Sequence, residues 1–430
     1  MPAFHRPWPA QACQIAATAG LAAGLVIPTS AFGQATPVQD LPREGYEAPV
    51  HHVGPLKVTT SANVRIEYDN NVFAQNLNRT QDTLVTFRPA IKAQLEHSGL
   101  VWTSNASGSI YRYFQQTSEN HEGYALNTRV AVTADRLIFG GQVGFERTFE
   151  SRNDPEARRL IGTGPRLFTV ATAQAYVGVE GNRIGVKAQF TADRYNFLSA
   201  TDNERDFTSY QASLRARMPV SNIVSVFATG YVNWRDYRLA TDNNGINRDA
   251  VSKGLLLGLE FDPGGKLRGE IAAGIVNLNP KSPLLRGYTG AEVRGSLVFS
   301  PRERTALTLD VFHGDVATVQ QGANGRIDTR ARLGIQQEVR HNLLLSAGVG
   351  WRQTKYRGFF QKQNNWGVDA EVEYLMNRRV SVALFASYLK RTIALSATGT
   401  APGEFFLNGK LRSVDAFNRF RAGAEIRFKF

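Results

Sequence analysis

The sequence predicts an all-β chain folded as a single transmembrane antiparallel up-and-down β-barrel of about 18 strands with periplasmic termini. Three observations predict it. Apolar and polar residues alternate from residue 56 to the C-terminus, the links between strands are tight and long by turns, and an N-terminal apolar run precedes the whole pattern.

Residues 1–35 read as a secretory signal. His5 and Arg6 give a modestly basic start, Ile15 to Ile27 form a short apolar run, and small residues at Ser30, Ala31, Gly33 and Ala35 offer cleavage sites. The run is too short and too rich in Ala and Gly for a membrane anchor. Cys13 is the single cysteine and precedes the run, which argues against a lipoprotein and leaves the mature chain without thiols. Disulfides, cysteine-bound metals and a thiol nucleophile are thereby excluded. Residues 36–55 are Pro-rich and polar and read as a flexible periplasmic lead-in, too short for a plug domain.

The barrel is expected over 56–430. In its last segment Phe420, Ala422, Ala424, Ile426, Phe428 and Phe430 share one face, while Arg419, Arg421, Glu425, Arg427 and Lys429 share the other. Successive strand side chains point to opposite faces. In a membrane barrel the apolar face meets lipid and the charged face meets enclosed water. Segments 291–299, 330–340, 343–352 and 368–374 repeat the split. Only half of each strand is apolar, so a hydrophobic content of 42% suits such a barrel.

Tight links are expected at His97-Ser98-Gly99, Asp135-Arg136, Gly181 to Arg183, Pro219 to Asn222, Asp262 to Lys266, Ser300 to Glu303, Arg340 to Asn342 and Asn377-Arg378. Long polar stretches fall between them at 70–82, 150–166, 196–205, 238–248, 315–325 and 394–411. Trp234, Trp351 and Trp366 are placed near outer strand ends, with Trp102 and Tyr374 near inner ends, as interfacial girdles require. Phe430 closes an alternating strand in the manner by which barrel-assembly machinery recognises its clients.

Several stretches resemble one family of outer-membrane proteins. They are Glu67 to Phe73, Ile110 to Phe114, Trp234 to Tyr237, Gly265 to Glu270, Arg340 to Gly348 and Tyr374 to Arg378. Together they are similar to the putative β-barrel porin type 2 family, over nearly all of the mature chain. The resemblance implies an outer-membrane barrel, associated in many members with exopolysaccharide export and so with periplasmic export components.

No catalytic constellation emerges, and an enzyme is not expected. Of seven His, only His313, at an outer strand end before Gly314 and Asp315, tempts as a candidate. The Asx-rich stretches at 69–71 and 242–245 lack the spaced carboxylates of a calcium loop, so no metal or cofactor is expected. The net charge of +13 is spread along an exported chain, which makes nucleic acid a poor partner.

The interior is therefore the candidate site. Alternation sends Arg129, Arg215, Arg217, Arg235, Arg268, Arg294, Arg330, Arg332, Arg352, Arg421 and Arg427 inward, with Glu270, Glu292, Asp310, Asp369 and Glu371. The connection after the fifth strand carries Arg152, Arg158, Arg159 and Arg166. Folded inward, it would set a positive constriction favouring anionic solutes. The preferred reading is an exposed basic loop resting on lipopolysaccharide. The expected function is a porin-like conduit for hydrophilic material, polysaccharide export first, with a general diffusion porin or a closed structural or adhesive barrel as alternatives.

Overall fold

The structure is a computed structural model that describes residues 38, 41, 43–157, 162–261, 264–320, 322–358, 360–396, 404–407 and 410–430. The expected signal peptide, residues 1–35, lies outside the described residues, as do Arg158 and Arg159.

A short strand, β1 (His51–Val53), folds back on β2 (Leu56–Asp69). There follow β3 (Asp82–His97), β4 (Leu100–Tyr113), β5 (His121–Ala134), β6 (Leu137–Phe149), β7 (Leu167–Glu180), β8 (Gly185–Phe197) and β9 (Phe207–Pro219). The middle of the chain gives β10 (Val224–Tyr237), β11 (Ala250–Phe261), β12 (Leu267–Pro280), β13 (Tyr288–Arg302), β14 (Thr305–Val316) and β15 (Gly325–Arg340). Then come β16 (Leu343–Arg357), β17 (Lys362–Leu375), β18 (Val380–Ala394), a small hairpin of β19 (Glu404–Leu407) and β20 (Lys410–Ser413), and the last strand β21 (Phe417–Lys429).

Each long strand pairs antiparallel with its sequence neighbours, and β21 pairs with both β18 and β2. The sheet thus closes on itself as β2 to β18 plus β21, eighteen strands in all. Closure leaves no long edge to pair with another chain. The barrel strands run from 12 to 16 residues, beyond the roughly 9–11 needed to cross a bilayer.

All eight expected tight links join strands at one rim, and the long connections gather at the other. At the first turn Ser98 and Gly99 both take positive φ, 45° and 81°. That backbone matches the twist of a two-residue hairpin. A Cβ on Gly99 would strike the Thr133 carbonyl, which explains the glycine.

One alternation holds around the whole barrel. Val64, Ile66, Leu214, Leu255, Leu257, Ile275, Leu333, Val368, Leu384 and Ile426 are exposed on the outer surface. Their sequence neighbours Arg65, Glu67, Arg215, Leu256, Val276, Ala383 and Glu425 are buried on the inner face. A soluble sandwich has the opposite arrangement, with oil inside and charge outside. Trp366 and Tyr374 are exposed at opposite ends of β17, as the girdle expectation requires.

The lead-in is anchored. Val38 is buried and its N–H donates to Gln336 Oε1 (2.8 Å), and buried Arg43 pairs with Glu338 on the inner face of β15 (3.2 Å). His341 in the adjoining tight turn bonds the Glu44 carbonyl (2.9 Å) and packs against Tyr46. The described residues of the expected flexible segment are therefore seated at the short-turn mouth. Composition hid this, because the acidic partner of Arg43 lies 295 residues away in the chain.

Candidate functional site

The inner face is built from ion pairs. Every inward candidate named from alternation lies opposite the exposed apolar face. Arg427 holds Glu371 (2.8 Å), Glu373 (2.7 Å) and Glu425 (2.8 Å), and Glu425 also receives Arg65. Arg215 holds Glu260 (2.6 Å) and Glu270 (2.9 Å), while Arg217 shares Glu260 (3.1 Å). Asp328 takes Arg330 (3.0 Å) and Arg352 (2.7 Å), Arg332 pairs with Asp369 (2.8 Å), and Arg421 with Glu67 (3.3 Å). Arg294 pairs with Glu292, Arg235 with Asp315 (3.5 Å), and Arg268 donates to Ser300 (3.0 Å). Asp310 accepts from Ser296 (2.8 Å), and both are exposed to the interior. Buried charges persist only when paired, so this saturation is what a polar interior requires.

The loop after β6 overturns the preferred expectation of an exposed basic strap. Glu150, Arg152, Asn153, Asp154 and Pro155 are buried. The loop leaves the wall at β6 and β7 and meets the diametrically opposite wall. Arg326 of β15 reaches Glu156 (3.0 Å) and Arg352 of β16 reaches Asp154 (3.7 Å). Arg419 of β21 donates to Asn153 Oδ1 (3.0 Å), and Arg391 of β18 donates to the Asn153 carbonyl. Residues 150–156 thus cross the long-loop end of the barrel.

Among the described residues the sign of this crossing differs from the positive constriction that inward folding was to set. Arg152 is consumed by Glu119, and Arg166 by Glu150 (3.2 Å) and Asp202 (3.1 Å). Arg205 also holds Glu150 (2.6 Å), and that ion pair raises its pKa against the opposing effect of burial. The loop instead presents acids to arginines of the far wall. Sequence reasoning singled out the arginines and passed over Asn153, Asp154, Glu156, Arg326 and Arg391. The available signal was the inward parity of Arg326 and Arg391, each facing no acid on a neighbouring strand position in register.

Two further loops join it. Val72, Phe73 and Ala74 of the first long loop are fully buried, with Arg152 stacked over the Phe73 ring at 5.6 Å. The loop after β14 folds in from the other side, where Ala317 and Val319 pack on Tyr195, Phe207 and Tyr237 of β8 to β10. Thr318 donates to Glu156, and Tyr356 reaches the same carboxylate (3.4 Å). Glu156 is therefore the knot at which two inward loops and the β15–β16 wall meet. In the loop after β10, Arg248 ties Asp242 (2.7 Å) to the Ala323 carbonyl (2.7 Å).

His313 bonds Thr329 (2.8 Å) on the outward-facing side of β14, and among the described residues it makes no hydrogen bond to an acid or a serine. Among the described residues no cluster of three or more potential metal ligands occurs.

A closed barrel with a charged, ion-paired interior and an apolar exterior defines the class of membrane-spanning, porin-like proteins. The chain belongs to the family described as "Putative beta-barrel porin 2", whose profile matches residues 44–409. No curated protein matches the chain. Among solved structures it is similar to the outer membrane protein OpdK of Pseudomonas aeruginosa, at 10% identity and a TM-score of 0.44, covering 87% of this chain and 99% of that one. It is also similar to OmpT of Vibrio cholerae, at 15% identity and a TM-score of 0.35, covering 89% and 100%. A ferric enterobactin receptor mutant of P. aeruginosa aligns at 9% identity and a TM-score of 0.40, covering 86% and 80%.

Proposed function

We propose that the protein is an outer-membrane conduit for hydrophilic material whose service is polysaccharide export, and that its long-loop end is a gate. The observation that carries the reading is the polar, ion-paired interior crossed by residues 150–156, outside which every strand turns an apolar face to lipid. Family likeness favours export over general diffusion. On this reading residues 1–35 deliver the chain to the periplasm, Phe430 is its handle for barrel-assembly machinery, and the long loops face lipopolysaccharide. The short-turn mouth, with the seated lead-in, faces periplasmic export components.

Paired charges and the knot at Glu156 also favour a second reading, a permanently closed structural barrel. Conductance of purified protein in planar lipid bilayers separates the two. Discrete openings support the conduit, and a silent barrel under all voltages supports the closed one. Export is tested in the native cell. Loss of the protein should strand polymer in the periplasm, and unchanged surface polymer would remove the export assignment.

A further inference from the structure

The interior is not uniform. Starting from Gln94 on β3, the residues in direct cross-strand register are Thr103, Arg129, Gln142, Gln174 and Thr191 on β4 to β8. The same row continues through Gln211 on β9 and Asn233 on β10 to Ser252 on β11. Apart from Arg129, each is an uncharged amide or hydroxyl side chain, and all share the inward parity. The wall from β13 to β18 differs. There one row reads Arg294, Phe312, Arg330, Arg352, Asn365 and Arg391.

Register in a tilted sheet is a path. Gln94 lies close to His97, where β3 ends at the short-turn rim, whereas Ser252 lies close to Ala250, where β11 begins at the long-loop rim. Strands of such barrels tilt by about 40° and sit about 4.8 Å apart, so the row covers roughly 38 Å of wall and rises about 25 Å. That rise equals the apolar thickness a barrel of this kind presents to lipid. The row is a spiral ramp from one mouth to the other.

We infer that this amide-and-hydroxyl row is a binding track for an uncharged, hydroxyl-rich chain. The inference rests on the conduit reading above and adds to it the wall used and the class of solute. An amide offers donors and an acceptor side by side, which matches a hydroxyl that both donates and accepts. Arginines of the opposite wall are committed to carboxylates and to loop carbonyls, and so offer a solute less. Two observations point to a ligand on the track. Gln174 is buried, 9% exposed, yet among the described residues its side-chain N–H₂ has no hydrogen-bond partner. Gln142 and Gln211 are half-buried and make no side-chain hydrogen bond among the described residues. Buried amides are rarely left so, and a passing hydroxyl would satisfy them. A row of single hydrogen bonds also lets a chain advance step by step, because each contact is weak.

The test is calorimetric titration of the full-length mature barrel in detergent with three probes of matched length. These are a neutral glucose heptamer, a galacturonate heptamer and polyethylene glycol, which only accepts hydrogen bonds. The neutral sugar should bind best. Gln142→Leu, Gln174→Leu and Gln211→Leu should each weaken it about fivefold, and the triple variant should abolish the preference over polyethylene glycol. Heat-modifiable electrophoretic mobility checks folding, and the single Gln211→Leu variant serves if the triple fails to fold. Equal binding of all three probes, no binding of the sugar, or wild-type binding by a folded variant overturns the track. A barrel that conducts ions yet ignores the sugar loses the track and keeps the conduit. One that binds the sugar but never conducts keeps the track and loses the open pore.

Discussion

If Glu156 ties the inward loops to the far wall, Glu156→Ala should open the barrel. The Arg326–Glu156 pair spans 3.0 Å between side chains only 5% and 6% exposed. Removing one member of a buried pair costs about 3–5 kcal/mol. Arg326 keeps Asp328 at 3.8 Å and Asp154 at 4.0 Å, so the lower end applies, about 3 kcal/mol. Because the tie exists only with the loops folded in, that loss falls on the closed state. It shifts the equilibrium roughly 150-fold. A barrel open about 1% of the time would then be open about 60% of the time. Single-channel recording in planar bilayers reads this directly as open-time fraction. Arg326→Ala should act in the same direction, and Glu156→Gln less, since an amide still accepts from Thr318. An unchanged open fraction in folded Glu156→Ala protein would refute the latch.

Other consequences follow from the same geometry. Leu257 is 61% exposed on the outer face of β11, so Leu257→Arg should cost about 2–4 kcal/mol in lipid near the midplane, whereas Ser296→Arg on the inner face of β13 should cost far less; urea unfolding in vesicles compares them. Burial pushes the Asp242 carboxyl up, but hydrogen bonds from the Ile246 N–H, the Arg248 guanidinium and the Asn244 N–H outweigh it and hold the pKa below the ordinary 3.8. A depressed carboxyl stabilises at full strength above its unfolded value and loses that contribution as pH falls through the folded one. The 238–249 loop should therefore stay hooked at neutral pH and loosen only below about pH 4, as reported by an environment-sensitive dye on Asn244→Cys, with Asp242→Asn abolishing the transition. Glu338→Ala should free the lead-in without unfolding the barrel, because β2 still pairs with β3 and β21; trypsin should then cut after Arg43 faster while heat-modifiable mobility is kept.

The barrel was legible because its causes are local. Period-two alternation in Phe420 to Phe430 follows from strand geometry alone, and Ser98-Gly99 or Asp135-Arg136 announce turns by residue type. The even strand count followed from alternating link lengths. The inward fold of the loop after β6 was legible only as an alternative, and its partners were not, because their causes are distant. Arg152 and Arg166 looked like free positive charge until Glu119, Glu150 and Asp202 were brought beside them by folding. Glu156 sits in a long polar loop like any other, and nothing near it in sequence announces Arg326 or Thr318. The anchoring of Arg43 was hidden for the same reason. The amide row was visible only in part, since inward parity is local but the register that aligns Gln142, Gln174 and Gln211 is a property of the closed sheet.

Alternate labelling across one hairpin tests the central claim most directly. Cysteines placed singly at Ser296, Leu297, Leu309 and Asp310 on β13 and β14 report which face meets water in reconstituted vesicles. The barrel described above predicts that a charged maleimide reacts at positions 296 and 310, and that only a lipid-soluble probe reacts at 297 and 309. The opposite pattern, or equal reaction with the charged probe at all four, would contradict it.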